Sequence, residues 1–182
     1  GLPRAPSLAH RLDRDTSGCL VLGRHRQALA TLGKLFEQNN IKKTYWAAVR
    51  GTPEAREGVI DLPLAKKSER RDLWQMKVDT ENGMPTVTEY TVMGTADGIT
   101  WLEMRPLTGR THQLRVHTAA IGCPIVGDKI YGDDASQPLH LHARAVEIPL
   151  YPKKEAIRAA APVPAHMEAA LAKCGFKISA DT

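Results

Sequence analysis

A carboxylate set among guanidinium groups is the sharpest chemical feature of the sequence. In His10-Arg-Leu-Asp-Arg-Asp-Thr-Ser-Gly18, Asp13 has Arg11 two residues before it and Arg14 directly after it. A cation within ~4–6 Å favours the ionised carboxylate and lowers its pKa. Such a group acts as a nucleophile or an electrostatic stabiliser, not as a proton donor at neutral pH. The alternative is a turn in which Asp15, Thr16 and Ser17 bond the backbone while both arginines stay solvated; local sequence leaves the two open. A second cluster, Thr108-Gly-Arg-Thr-His-Gln-Leu-Arg-Val-His117, joins a glycine-bearing turn to a helix start. Free N–H groups and the positive end of the helix dipole there suit a phosphate or carboxylate. Arg110, His112 and Gln113 add further donors. Arg115 shares a helical face with His112 at i, i+3, so it can reach inward to a carboxylate while His112 faces a ligand. A capped helix with a solvated basic face is the plain alternative.

Tyr45 shares one strand face with Lys43 and Ala47, where a tyrosine is more often a half-buried core residue than a catalytic one. The small Ala47 and Ala48 leave room beside it. His140, His142 and Arg144 also share a face, but no third ligand follows at a familiar spacing and no H-E-x-x-H occurs, so metal binding is disfavoured. The absence of G-x-x-x-x-G-K-[ST] and G-x-G-x-x-G removes the main sequence argument for a nucleotide-driven enzyme.

The elements that must carry these groups follow from periodicity. Cys19–Leu22 is a short apolar run that predicts a buried strand ending at Gly23. Ala28, Leu29, Leu32, Leu35 and Phe36 form one stripe of a helix over 27–38, with Asn39-Asn40 as a left-handed stop. Lys43–Val49 predicts a strand, and Pro85–Met93 with Ile99–Arg105 a hairpin turning at Ala96-Asp-Gly98. From Thr52 to Asp79 the chain is polar, with Pro53, Pro63 and the run Lys66-Lys-Ser-Glu-Arg-Arg71; this predicts an exposed, mobile loop or insertion, with 65–80 contributing to specificity. A helix is predicted over His112–Ile121 with Thr111 as N-cap and Gly122 then Pro124 as its stop. Leu139–Ile148 predicts another strand, and Ala165–Lys173 a closing helix between Pro164 and Gly175. Hairpins outnumber β-helix-β units, which favours an α+β fold with a mixed, mainly antiparallel sheet.

Composition bounds the rest. The chain has 182 residues with 25 Lys+Arg against 20 Asp+Glu, net +5, values that disfavour collagen-like, low-complexity and disordered classes. Chains of roughly 150 residues bury about 68–70% of their unfolded surface, so one domain needs neither disulfide nor structural metal. No apolar run approaches the ~18–20 residues that cross a bilayer, and no basic region precedes an apolar stretch at the N-terminus. Cys19, Cys123 and Cys174 are odd in number and lack C-x-x-C spacing, which fits free thiols in a reducing cytoplasm. The positive excess is a mild lean toward a polyanion.

Five ordered segments, His10-Arg-Leu-Asp-Arg-Asp-Thr-Ser-Gly18, Lys43-Thr-Tyr-Trp-Ala-Ala-Val-Arg-Gly51, Gly109-Arg-Thr-His-Gln-Leu-Arg-Val-His117, Gly127-Asp-Lys-Ile-Tyr-Gly132 and Leu139-His-Leu-His-Ala143, resemble the RluA-type RNA pseudouridine synthases over about residues 8–150. The resemblance implies a mixed, mainly antiparallel sheet crossed by the active cleft. It also implies isomerisation of specific uridines in ribosomal or transfer RNA: the N1–C1′ bond breaks, the base rotates, and C5 bonds to C1′. Asp13 would be the essential catalytic group and Tyr45 would stack on the base, with a role as general base also proposed for it. Arg115 would pair with Asp13, and Arg11 would fill the space left by the flipped base; no firm role transfers to Arg14. Extruding a stacked uridine costs a few kcal/mol, offset by stacking and backbone contacts, for which Tyr45, Arg110 and His112 are placed. One bond is exchanged for another within a nucleotide, so no cofactor, ATP or metal is implied, and the partner is RNA, with no membrane. Such folds begin with a strand bearing a lysine-proline signature, often after a small RNA-binding domain. Gly1-Leu-Pro-Arg is then expected to be all that remains of it, making 1–182 a single catalytic domain. Two competitors use the same residues: a non-catalytic RNA-binding module, and a metal-independent phosphodiesterase with His10 and His112 as acid and base.

Overall fold

Ala47, Ala48 and Val49 are all fully buried, although successive strand residues point to opposite faces. A strand buried on both faces must lie between two packed layers, and Lys42–Arg50 does so. The computed structural model describes residues 5–67, 75–132 and 134–177. In chain order the elements are β1 (Ser7–Leu8), β2 (Ser17–Gly18), β3 (Leu22–Gly23), α1 (Arg26–Glu37), β4 (Lys42–Arg50), β5 (Glu57–Asp61), β6 (Leu64–Lys66), β7 (Met76–Val78), β8 (Val87–Ala96), β9 (Ile99–Pro106), α2 (Gln113–Ala120), β10 (Leu141–Ile148), β11 (Ile157–Ala160) and α3 (Ala165–Lys173). The main sheet runs β11-β10-β4-β9-β8-β5, and β2 joins it beside β10. Its path is antiparallel throughout and the β2 pairing is parallel. The fold is therefore α+β with a mixed, mainly antiparallel sheet.

One face of the sheet packs Ala47, Val49, Leu102, Met104 and Leu141 against Leu114 of α2 and Ile125. The other packs Ala48 and Trp101 against Met167 and Leu171 of α3, each buried leucine or methionine contributing roughly 1.5–3 kcal/mol. Helix α1 lies over a third cluster in which Leu32 meets Ile41, Val146 and Ile148. Asn39 takes a left-handed φ of 55° at its end, and α3 spans the predicted residues. No helix among the described residues is long and apolar enough to cross a membrane.

Three expectations change. The segment 52–79 is not one loop. Glu57–Asp61 pairs with β8 as the sheet's edge, and Leu64–Lys66 pairs with Met76–Val78. Pro53 and Pro63 fall between these strands, not inside them, where the missing N–H costs nothing. Residues 68–71 of the basic run lie outside the described ones. Cys19–Leu22 is not a continuous strand, because Ser17–Gly18 and Leu22–Gly23 pair with different partners. The N-cap of α2 is His112, not Thr111, with φ 53° and no side-chain capping bond. Strands β1 and β11 carry too little periodicity to be read from sequence.

His117 shows what this core demands. It is fully buried, its Nδ1 accepting from the Thr88 hydroxyl at 3.0 Å and its Nε2 facing the Leu62 carbonyl at 3.1 Å. That network fits the neutral ring, and burial lowers its pKa from 6.5 despite the carbonyl. Burial lowers His140 and His142 likewise. Protons then bind the unfolded chain better, so this stability is complete above about pH 6.5 and is lost as pH falls below it, by at most about 1.4 kcal/mol per histidine per pH unit. Thermal unfolding is expected to begin at lower temperature at pH 5.5 than at pH 7.5, before carboxylates titrate. A melting temperature constant over that range would contradict this account.

Candidate active site

The Asp13 turn is held from both sides while its carboxylate stays uncommitted. Thr16 N–H donates to the Asp13 carbonyl at 3.1 Å and Asp15 takes φ 68°, the positive φ that the third residue of a type II turn requires. Ser17 Oγ lies 2.8 Å from His142 Nδ1, and Cys19 N–H donates to the Ala143 carbonyl at 2.9 Å. Gly18 has φ 113°, and a Cβ there would sit 2.3 Å from the Ala143 carbonyl oxygen. Thus Thr-Ser-Gly moors the loop to β10, and only glycine permits the approach. Before the turn, His10 stacks on Phe36 with ring centroids 4.4 Å apart, and its Nε2 accepts from Val21 N–H at 3.0 Å. Burial lowers its pKa. His10 therefore pins the loop to α1.

The floor of the site is β4. Tyr45 and Lys43 lie on the strand face turned toward this loop, with Leu141 of β10 beside them, and together with Asp13, Arg11, Pro106 and Arg110 they line a cavity of about 360 Å³. Sites for small ligands begin near 300 Å³, so one flipped nucleobase is the right scale. Burial, with the Asp13 charge adding to it, pushes the Tyr45 phenol up to about 12. The phenol is thus protonated at neutral pH, which favours its use as a stacking face over its use as a general base. A second cavity, about 590 Å³, opens on the other side of Asp13 among Arg11, Arg14, His112, Arg115 and Lys129. Asp13 and Arg11 line both cavities.

Helix α2 supplies the opposite wall, anchored by a pair that sequence reasoning missed. Arg115 donates from Nε and an Nη to the two oxygens of Asp128, both at 2.8 Å. Asp128 Oδ1 also accepts from Ile130 N–H at 2.9 Å and Tyr131 N–H at 3.0 Å. Burial opposes ionisation, yet these donors outweigh it and hold the Asp128 carboxyl below its ordinary value. The expected Arg115–Asp13 pair is therefore corrected: Arg115 makes its ion pair with Asp128, while the Asp13 charge acts on it without a direct bond. The two parallel bonds to Asp128 occupy Nε and one Nη of the guanidinium fork in the bidentate geometry it favours. Asp128 and Tyr131 belong to Gly127-Asp-Lys-Ile-Tyr-Gly132, a segment whose pattern carries the resemblance but no role.

Tyr131 fixes His112. Its hydroxyl accepts from Met76 N–H at 2.8 Å and lies 2.8 Å from His112 Nδ1. Burial lowers the His112 ring's pKa despite the Asp13 charge. The left-handed φ of His112 is the strain that sets this aim. Gln113 has no free capacity, since it bonds Thr108, Arg110 N–H, Val87 and Thr88. Arg11 and Arg110 are exposed at the cavity mouth. His142 bonds Ser17 and Ala161 through its two ring nitrogens, and His140 Nδ1 meets the Pro138 carbonyl. Of the six residues read from sequence, Asp13, Tyr45, Arg11 and Arg110 line the first cavity, and Asp13, Arg11, His112 and Arg115 the second.

Comparison with known proteins agrees with this architecture. Residues 2–120 match the family model described as RNA pseudouridylate synthase. An uncharacterised RNA pseudouridine synthase of Zymomonas mobilis is 46% identical over 90% of this chain and 76% of its own length. The ribosomal large subunit pseudouridine synthase C of Haemophilus ducreyi is 36% identical over 91% of this chain, which spans 54% of that protein. Among solved structures, human RNA pseudouridylate synthase domain containing 4 superposes with a TM-score of 0.79 at 28% identity, covering 95% of this chain and 77% of that one. The chain belongs to the RNA pseudouridylate synthase family and, on its five ordered motifs, to the RluA type, whose members isomerise uridine to pseudouridine in RNA.

Proposed function

We propose that this chain extrudes a uridine from ribosomal or transfer RNA and isomerises it with Asp13 as the catalytic carboxylate. The observation that carries the reading is the position of Asp13: it is shared by a base-sized cavity floored by Tyr45 and by a basic cavity suited to the RNA backbone. Its charge acts on Tyr45, His112, Arg115 and Tyr131 together. An uncommitted carboxylate at that point meets the positive charge that develops at C1′ as the bond to N1 opens. The detached uracil turns against the Tyr45 face, C5 bonds to C1′, the C5 hydrogen leaves as a proton, and N1 takes one up. Atoms balance within the nucleotide. Stacking on an aromatic ring contributes about 1–3 kcal/mol per base toward the extrusion cost. Arg11, Arg110 and His112 are the proposed RNA contacts, and the free thiols of Cys19, Cys123 and Cys174 fit a cytoplasmic setting.

RNA transcribed with tritium at uridine C5 provides the test. The protein is expected to release tritium to water while the RNA keeps its length in the presence of chelator. Binding without release would favour a non-catalytic module, and strand scission a phosphodiesterase. With tRNA and rRNA fragments as separate substrates, the same assay identifies the substrate class.

A further inference from the structure

Lys43 is a cation for which the described residues supply no counter-charge. It lies on the same face of β4 as Tyr45, opposite Val146 of β10, in the wall of the base-sized cavity. Its Nζ makes one long contact, 3.4 Å to the Thr108 carbonyl. Among the described residues no carboxylate lies within ion-pairing distance of it, although Asp13 and Glu37 line the same cavity. Burial lowers the pKa of the ammonium, and its charge is felt at His10. The residue after Thr108, Gly109, comes equally near: an added Cβ there would stand 3.5 Å from Nζ. Arg110 follows immediately and lines the same cavity. A third hollow, a cleft of about 670 Å³ lined by Lys42, Arg105 and Arg158 with Glu89 and Glu147, shares Lys43 and Pro106 with the base-sized cavity. Lys43 therefore stands where the two hollows meet.

A half-buried ammonium without a carboxylate is unfavourable unless a bound anion completes it. The anion that accompanies a uridine in RNA is its phosphodiester. We propose that Lys43 binds a backbone phosphate of the extruded nucleotide, at the corner made with Gly109 and Arg110, and so positions the ribose against Asp13. The inference rests on the proposed RNA substrate and adds to it a residue for which the motif reading gave no role. A methylene stem four carbons long along the cavity wall gives the charge reach, and its aliphatic part covers the edge of the base pocket.

The test measures RNA affinity by fluorescence anisotropy over a series of salt concentrations. Each phosphate contact contributes about 0.7–0.9 to the slope of log K against log salt. Lys43→Met is expected to make the slope shallower by about that amount and to raise KM more than it lowers kcat; Lys43→Arg is expected to keep the wild-type slope. An unchanged slope in Lys43→Met overturns the proposal, whether affinity stays constant or falls equally at all salt concentrations, the latter being the mark of a contact to uracil. Should Lys43→Met not fold, Lys43→Gln is measured in its place under the same criterion. Failure here leaves tritium release by the wild-type protein intact, whereas failure of the proposed activity abolishes that release for every variant.

Discussion

Asp13→Asn is expected to lower tritium release from labelled RNA by at least ~10³-fold, equivalent to about 4 kcal/mol of transition-state stabilisation, while RNA affinity and melting temperature stay close to wild type. The size follows from what the carboxylate does and does not touch. Among the described residues no hydrogen bond or ion pair fastens it to the fold. The turn uses its backbone carbonyl, which accepts from Thr16 N–H and survives the substitution. Asparagine keeps the shape, so Gly18 can still approach Ala143 and Ser17 can still bond His142. What disappears is one negative charge aimed at the nucleotide, together with its attraction for Arg115. Single-turnover assays separate chemistry from binding. Release within tenfold of wild type would remove Asp13 from the chemistry and transfer attention to Glu37, the other acid of that cavity.

The parts of this arrangement legible in the sequence are those governed by local periodicity or by one dense motif. Helix α3 and the β8–β9 hairpin follow from spacing and turn residues alone, because local patterning and tertiary packing agree there. The Asp13 turn was legible in type for the same reason, its Thr-Ser-Gly being chosen for a turn, a hydroxyl anchor and a close approach. Long-range partners were not. Arg115 is one residue among several that a helix face can direct inward, and nothing in the spacing distinguishes Asp13 from Asp128 as its acceptor; the loop that returns Asp128 beneath α2 decides it. Edge strand β5 escaped because Val59 is exposed while Ile60 is buried, too short a pattern between two prolines to outweigh the polar composition around it. The His112 cap escaped because a left-handed histidine is locally unfavourable, and only the bond to Tyr131 makes its position intelligible.

The Arg115–Asp128 pair carries the second large effect, on stability and rate together. The side chains are 6% and 0% exposed and meet through two parallel bonds of 2.8 Å. Asp128→Asn replaces an acceptor by an amide that must turn either its NH₂ toward the guanidinium or its oxygen away from Ile130 and Tyr131 N–H. Either choice leaves a buried charge short of its partner, a loss of roughly 3–5 kcal/mol. For a domain of this size each kcal/mol moves the melting temperature by about 2–4 °C, so a fall of roughly 6–20 °C is expected by calorimetry. The aromatic ring of Tyr131, 5.2 Å from the guanidinium carbon, cannot replace the lost acceptor. Removing both charges with Arg115→Met and Asp128→Leu is expected to recover part of the stability, because no unpaired ion remains while the Ile130 and Tyr131 N–H groups lose their acceptor. It is not expected to recover turnover, because the positive charge that acts on Asp13 is gone. A single variant that melts within 2 °C of wild type would show that solvent reaches the pair, whereas a double variant with wild-type turnover would show that Arg115 serves the fold alone and that Asp13 needs no cation behind it.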